Sequence, residues 1–275
     1  MGGIRIVLAL SVVLWHIPGS PFRALNASVA VACFFIVSGF YMAMVINEKY
    51  AKTDGKSWIS TFYLARFFRL YPLYFVMATV MAIWFALTVS PNAFTSILPI
   101  PIEQQFAIAA LNIVVIGQDL YEAVCQGTAQ HSMPGFMASL REFLGPNFFN
   151  EQYMLVGQAW SLSSEFLFYL IAPFVVRSPV KTAIAFGVGV AIRFWLIYIH
   201  GYRSGIWGYW FFPGSACLFF LGSLGYHLHK KIKIPIRDDR IGRIAIIGFG
   251  VWLLTNVIAF HVAMASDATG SIDGP

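Results

Sequence analysis

Apolar runs of about twenty residues recur along this chain, and they limit its fold more than any other feature. Lipid offers no hydrogen-bond partner to the backbone, so runs of this length predict membrane-spanning helices. The sequence predicts an all-α transmembrane helix bundle with about 7-8 hydrophobic segments. The expected spans are 4-18, 27-46, 70-90, 158-176, 181-200, 206-228 and 243-264. A further run, 106-117, is too short to span comfortably and is expected to be re-entrant, interfacial or packed inside the bundle.

Composition supports a polytopic membrane protein. Of the 275 residues, 59% are hydrophobic and 11% are charged, whereas about 25% charge is usual for a water-soluble surface. No small-x-small cleavage site follows Trp15, so the first run is interpreted as an uncleaved helix. We expect one transmembrane domain over 1-264 and a polar tail over 265-275.

Two other classes of site are not indicated. The three cysteines are far apart and form no CxxC pair, and the histidines form no HExxH motif, so no metal or redox site is expected. The net charge of +6 is not gathered on a nucleic-acid-binding motif, and no nucleic-acid partner is expected.

Lysine and arginine are unevenly placed, and this predicts the topology. Residues 47-69 and 229-243 are rich in both, whereas 90-157 contains Arg141 alone. We therefore expect the first two segments to be cytoplasmic and the long connection to face outward, with the N-terminus inside. The basic residues of the two cytoplasmic segments are Lys49, Lys52, Lys56, Arg66, Arg69, Lys230, Lys231, Lys233, Arg237, Arg240 and Arg243.

The first run carries two ionisable residues, Arg5 and His16. Eleven residues are about three helical turns, so the two side chains project from nearly the same face. At 1.5 Å per residue they lie roughly 16 Å apart, near opposite ends of the span. The alternative interpretation is that Arg5 is a positive-inside anchor and His16 an interfacial ring beside Trp15.

Glu165 lies inside the run "QAWSLSSEFLFYLIAP", whereas every other acid is expected in a loop or tail. A charge near a helix centre costs roughly 2.5 to 3.5 kcal/mol on insertion scales, so it needs a partner. The topology places Glu165 at a depth comparable to His16, and a carboxylate beside an imidazole would fix its tautomer and raise its basicity. Helix-helix hydrogen bonds alone are the alternative.

Arg66 and Arg69 are three residues apart and share a helical face just before Pro72. Guanidinium groups at a membrane edge suit a phosphorylated ligand, although an amphipathic helix on anionic lipid explains them equally well. Arg193, near the middle of the 181-200 run, is either functional or paired structurally with Glu165.

Four segments, in order, resemble the motifs of the acyltransferase-3 family of membrane-bound O-acyltransferases. They are "RIVLALSVVLWH", "FFIVSGF", "RFFRLYPLY" and "WSLSSEF", which begin at residues 5, 34, 66 and 160; "FFPGSACLFFLG" at 211-222 resembles the family more weakly. The match extends from residue 5 to about 225.

This resemblance implies a function. The family moves acetyl or other short acyl groups from cytoplasmic acyl-CoA to hydroxyls of cell-surface or lipid-linked glycans. Acyl-CoA is then a donor substrate and no cofactor is bound permanently. We expect an integral protein of the bacterial inner membrane, with the bilayer and a glycan acceptor as its partners.

The resemblance also implies roles for individual residues. His16 is the expected catalytic histidine, with Glu165 in the site, and the essential basic positions are Arg5, Arg66 and Arg69. Ser38, Gly39 and Phe40 match the "SGF" element, where Gly39 would permit close helix approach and Ser38 would donate a hydrogen bond or bond back to its own helix. Trp160 and Ser161 are expected to line the acceptor pocket.

The chain departs from the family pattern in two places. Ala30-Val31-Ala32 stands where many members have Gly-Val-Asp, so the role of that acid has no direct counterpart here. The chain is also shorter than the usual ten-helix domain. A transporter or lipid-binding protein without transferase activity is the alternative, although no internal repeat supports a transporter.

Overall fold

The computed structural model describes residues 2–17, 25–50, 57–88, 97–129, 135–145, 147–200 and 205–232. Within these ranges the chain is helical and forms no strand. The helices are α1 Gly2–His16, α2 Ala27–Val45, α3 Ser57–Leu87, α4 Ile102–Val114, α5 Gln118–Ala129, α6 Gly135–Leu144, α7 Trp160–Val175, α8 Pro179–His200, α9 Gly205–Tyr209 and α10 Phe212–Ile232. A π-helical turn, Ile46–Tyr50, extends α2, and a 3-10 turn, Gly157–Ala159, leads into α7.

The predicted all-α membrane bundle is confirmed. Helices occupy the first five predicted spans, whereas the sixth, 206-228, is divided between α9 and α10, and the seventh, 243-264, lies outside the described residues. By length and composition, three described helices can cross a membrane: Ala27–Tyr50, Trp58–Leu87 and Pro179–Leu196. The short run at 106-117 forms α4, which has 13 residues and is too short to cross.

Helix α3 corrects one predicted boundary. We expected the third span to begin at residue 70 beside Pro72, but a single helix of 31 residues runs through this proline. Proline removes one intrahelical hydrogen bond, whereas ending the helix there would expose several backbone groups to lipid. Continuing the helix is therefore the smaller loss.

Helices α2 and α10 pack at close backbone distance. A Cβ at Gly39 would overlap the carbonyl oxygen of Phe219, and one at Gly222 would overlap that of Ile36. The predicted role of Gly39 in close helix approach is thus confirmed. Ser223 secures the contact by donating a hydrogen bond to the Gly39 carbonyl over 3.0 Å.

The connection between α3 and α7 is anchored to the bundle by a buried acid. One carboxylate oxygen of Asp119 accepts the Ser163 hydroxyl at 2.7 Å, and the other accepts the Phe212 N–H at 3.1 Å. Burial raises the pKa of Asp119, while these two donors oppose the shift. The expectation that every acid other than Glu165 lies in a loop or tail is wrong, because Asp119 and Glu122 are buried in α5.

Basic side chains gather at one end of the bundle. Lys49, Arg177 and Lys230 lie over the rings of Tyr50, Trp58 and Tyr226, and Tyr226 also donates a hydrogen bond to Glu48. His16 lies at the other end, beside the start of α7. This separation agrees with the uneven basic residues of the sequence.

Candidate active site

Glu165 is the centre of a buried polar cluster between α1, α2 and α7. The residue is 4% exposed, and its Oε1 accepts hydrogen bonds from Arg5 at 3.1 Å, from Ser38 at 3.1 Å and from Tyr169. Arg5 also donates to Ser38 over 2.8 Å and lies 4.5 Å from the centre of the Phe34 ring. Arg5 and Glu165 therefore form an ion pair in which the glutamate side chain is 5% exposed and the arginine side chain is 15% exposed.

The cluster has structural reasons to form where it does. Glu165 and Tyr169 are four residues apart on α7, so they lie one above the other on the same face. Ser38 does not bond back to its own helix; its hydroxyl donates across to Glu165. Helix α1 passes close enough for Arg5 to reach both residues.

Arg66 lies beside this cluster but has no acidic partner in the described part of the chain. Its side chain is 8% exposed, and its Nε and one terminal nitrogen make no hydrogen bond. The guanidinium faces the rings of Phe62 and Tyr169 at 5.6 and 6.0 Å. It also lines a cavity of about 590 Å³ between α3 and α7, together with Tyr71, Phe166 and Tyr169.

The other predicted binding residues are spread along the bundle. Arg69 is exposed and lies 5.5 Å from the ring centre of Tyr41. Phe40 packs edge-on against Tyr226, at the basic end. Neither residue hydrogen-bonds to Glu165, whose partners are Arg5, Ser38 and Tyr169, and neither lines a described cavity.

His16 ends α1 and is exposed to a separate cavity of about 480 Å³. Its Nδ1 lies 2.8 Å from the carbonyl oxygen of Val12, one turn earlier in the same helix. Since a carbonyl only accepts, we assign the ring proton to Nδ1. Nε2 is then the unprotonated nitrogen, and it makes no hydrogen bond with the described residues.

Aromatic side chains form much of the wall around His16. Trp160 lies 4.8 Å from Tyr209 and 4.3 Å from Trp210, measured between ring centres. Trp15 completes this set, and Ser161 and Gln158 add polar groups from the start of α7. Trp160 and Ser161 thus line the same cavity as His16.

The predicted pairing of His16 with Glu165 is wrong. Glu165 bonds to Arg5, Ser38 and Tyr169, whereas His16 bonds to the Val12 carbonyl. Trp160 lines the His16 cavity, and Glu165 lies more than a helical turn after it on α7. At that position Glu165 is in reach of the long side chain of Arg5, which donates a hydrogen bond to it. The backbone, not a carboxylate, therefore fixes the tautomer of His16.

Arg193 is not paired with Glu165 either. Its guanidinium donates hydrogen bonds to the carbonyl oxygens of Gly208 and Gly214, the latter at 3.0 Å. Gly208 lies in the last turn of α9 and Gly214 in the first turn of α10, so Arg193 joins the two helices across the turn between them. We interpret Arg193 as a structural residue of that turn.

Sequence reasoning missed two acids in the wall of the His16 cavity, Glu122 and Glu151. The side-chain amide of Gln126 donates to both, over 3.0 Å in each case. Burial raises the pKa of Glu122, the hydrogen bond from Gln126 lowers it, and the charge of Glu151 raises it further. A sequence signal was available, because Gln118, Glu122 and Gln126 recur every four residues and give α5 a polar face.

The described residues contain no group of three or more His, Cys, Asp or Glu side chains that could hold a metal ion. His16, the two acids and Ser161 bring an imidazole, two carboxylates and a hydroxyl to the cavity.

Comparison with known proteins is informative at the level of the family. The family model described as "Acyltransferase domain", Acyl_transf_3, matches residues 1–272. No curated protein matches, and no solved structure does. A match over nearly the whole chain, with the helical membrane bundle, is decisive: this protein belongs to the acyltransferase-3 family and is an integral membrane acyltransferase.

Proposed function

We propose that this protein transfers an acetyl or short acyl group from acyl-CoA to a hydroxyl of a cell-surface or lipid-linked glycan. The observation that carries the proposal is the hydrogen bond from His16 Nδ1–H to the Val12 carbonyl. It leaves Nε2 as a proton acceptor on an exposed ring that lines a cavity large enough for a small molecule.

The chemistry requires one proton transfer and one acyl transfer. His16 Nε2 takes the proton of the acceptor hydroxyl as its oxygen bonds to the thioester carbonyl carbon. The carbon–sulfur bond then breaks, and the CoA thiolate leaves with the proton that the imidazolium returns. An acyl-histidine intermediate, formed by attack of Nε2 on the thioester, is the alternative and gives the same products.

The arginines support the donor half of the proposal. Arg66 carries a charge without an acidic partner among the described residues, and the planar guanidinium suits phosphate oxygens. Arg69 is exposed on the same helix, one turn further on. Arg5 is engaged by Glu165, so we assign it to the support of the site rather than to first contact with the nucleotide.

The length of α1 determines how far a bound acyl donor must extend along the bundle. Arg5 and His16 are separated by about 16 Å of helix, so a donor whose phosphates bind near Arg66 must extend an arm along the bundle. The pantetheine arm of CoA is a long, flexible chain of this kind. We further propose a bacterial inner membrane location with the N-terminus in the cytoplasm, because the basic end of the bundle would then face the cytoplasmic pool of acyl-CoA.

Purified protein in lipid nanodiscs tests this function directly. Acetyl-CoA labelled in the acetyl group is incubated with membrane glycans from a host lacking this protein, and the products are analysed by mass spectrometry. We expect an acyl-sized mass increment with the wild type, and a loss of about 10²- to 10⁴-fold in His16→Ala.

His229→Ala is the matched control, because this histidine lies at the basic end and lines no described cavity. It should retain wild-type transfer. An increment that survives in His16→Ala at equal protein amount would refute the role of His16, and transfer to water alone would refute the glycan acceptor.

A further inference from the structure

The two acids of the His16 cavity play no part in the transfer chemistry described above. Glu122 is 6% exposed, yet it lines a cavity that is open at the ring of His16. Its Oε1 accepts the Gln126 amide, whereas Oε2 accepts no hydrogen bond from the part of the chain that the structure describes. A carboxylate oxygen is a strong acceptor, so this oxygen in the cavity wall can accept a hydrogen bond from a ligand.

Glu151 joins Glu122 in the same wall. Because each carboxylate has an oxygen 3.0 Å from one nitrogen of Gln126, the two oxygens are at most twice that distance apart. Among the described residues that line the cavity, these two carry its only formal charges apart from any on His16. Burial raises the pKa of Cys125 and the charge of the neighbouring Arg141 opposes that rise, but Arg141 does not line the cavity.

The cavity wall beside the two acids is formed by aromatic side chains. Trp15, Trp160, Tyr209 and Trp210 present flat apolar rings to the same space. A ring platform next to acceptor-only carboxylates suits a ligand with an apolar face and an edge of O–H or N–H donors. It disfavours an anionic ligand, since like charges in a partly desolvated cavity repel strongly.

We infer that Glu122 and Glu151, bridged by Gln126, select the acceptor by charge: the cavity takes a neutral or amino-bearing sugar unit and rejects one with a carboxylate or phosphate on the unit that enters. This inference rests on the proposed function for its acceptor, but it concerns binding alone and names residues outside the transfer step. Glu122 is thus a specificity residue and not a catalytic residue.

Binding of three matched probes tests the inference without acyl transfer. The probes are methyl β-glucoside, its 2-amino analogue and methyl β-glucuronide, which share a ring and differ in charge. Binding to the full chain in nanodiscs is followed by tryptophan fluorescence, since three tryptophans line the cavity. We expect the glucoside and the amino sugar to bind at least about tenfold more tightly than the glucuronide.

The variants Glu122→Gln and Glu151→Gln keep shape and remove charge. The double variant should bring the three affinities to within about threefold, whereas Glu142→Gln, an exposed acid of α6 outside the cavity, should leave the ratios unchanged. Glu151→Gln is informative alone if Glu122→Gln does not fold, because Glu151 is exposed and should by itself reduce the discrimination.

Equal binding of glucuronide and glucoside by the wild type would overturn the inference. So would the absence of binding by any probe, or discrimination that persists in the double variant. The proposed function is judged separately: charge selection without acyl transfer would refute the transferase chemistry and keep the inference, whereas transfer without charge selection would do the reverse.

Discussion

The two ends of α1 carry ionisable side chains in opposite surroundings. At one end Arg5 is partly buried against Glu165, Ser38 and the Phe34 ring. At the other, His16 is exposed and bonds only to the carbonyl of Val12 in its own helix. A charge inside a bundle is tolerated when it is paired, whereas a base that must accept a proton needs a free nitrogen. One helix thus provides a structural residue and a reactive residue, about 16 Å apart.

The largest effect expected from this comparison is on stability, at the end of α1 that carries Arg5. Glu165→Gln removes the charge that neutralises Arg5, so the free energy of unfolding should fall by about 3–5 kcal/mol. The measurement is the fraction of protein that stays monodisperse after heating in detergent. Glu103→Gln, at an exposed site on α4, is the control and should change little.

Replacing both partners sharpens this prediction. Arg5→Met with Glu165→Met leaves no uncompensated charge, so most of the lost stability should return, although acyl transfer would not. Equal heat resistance of Glu165→Gln and Glu103→Gln would show that the ion pair contributes nothing to folding.

At the end of α1 that carries His16, substitution should reduce acyl transfer and leave stability nearly unchanged. His16→Ala removes an exposed side chain whose only hydrogen bond is to its own helix, so the midpoint of thermal unfolding should stay near that of the wild type. Transfer should fall by about 10²- to 10⁴-fold. Both quantities are measured on one preparation, and a His16 variant as heat-labile as Glu165→Gln would contradict the division between the two ends.

Hydrophobic run length and motif order predicted most of the fold and much of the site. Runs of apolar residues indicate helices because lipid leaves the backbone no other partner, and the small residue Gly39 indicated a close contact. The motifs also singled out Arg5, Ser38 and Glu165, which are in direct contact, although the predicted depths placed Arg5 and Glu165 near opposite ends of the membrane.

The sequence did not determine which charged side chains pair with each other. Glu165 was paired with His16 on estimated depth, but a long arginine side chain reaches across a turn or more, and depth alone cannot rank such partners. The acids of α5 were missed because they lie in a connection that was expected to face water. Their burial depends on packing of α5 against α7 and α9, which no local pattern encodes.

Substitution of Arg66 should weaken donor binding but hardly change stability, and its effect should be smaller than the two effects above. Its guanidinium lacks hydrogen bonds to described residues at two of its nitrogens, so Arg66→Gln should leave the free energy of unfolding within about 1 kcal/mol of the wild type. The KM for acyl-CoA should rise about tenfold, because one charge-assisted contact to phosphate is lost.

Arg69→Gln is the matched control on the same helix. Arg69 is exposed, and solvent weakens its attraction for phosphate, so its KM should rise by less than about threefold. Equal effects of the two variants would indicate that the donor binds at the surface of α3 and not at the buried guanidinium.

The smallest effect concerns Tyr169, which touches both sets of charges. Its hydroxyl donates to Glu165 while its ring faces Arg66 at 6.0 Å. Tyr169→Phe keeps the ring and removes one of three donors to the carboxylate, so the free energy of unfolding should fall by only about 1 kcal/mol, with no change in KM for acyl-CoA. Tyr63→Phe is the control, since its exposed hydroxyl donates to the Leu170 carbonyl at 2.9 Å and its loss should cost less. A rise in KM with Tyr169→Phe would mean that the ion-pair cluster positions Arg66 for the donor, and the two sets of charges would then act as one unit.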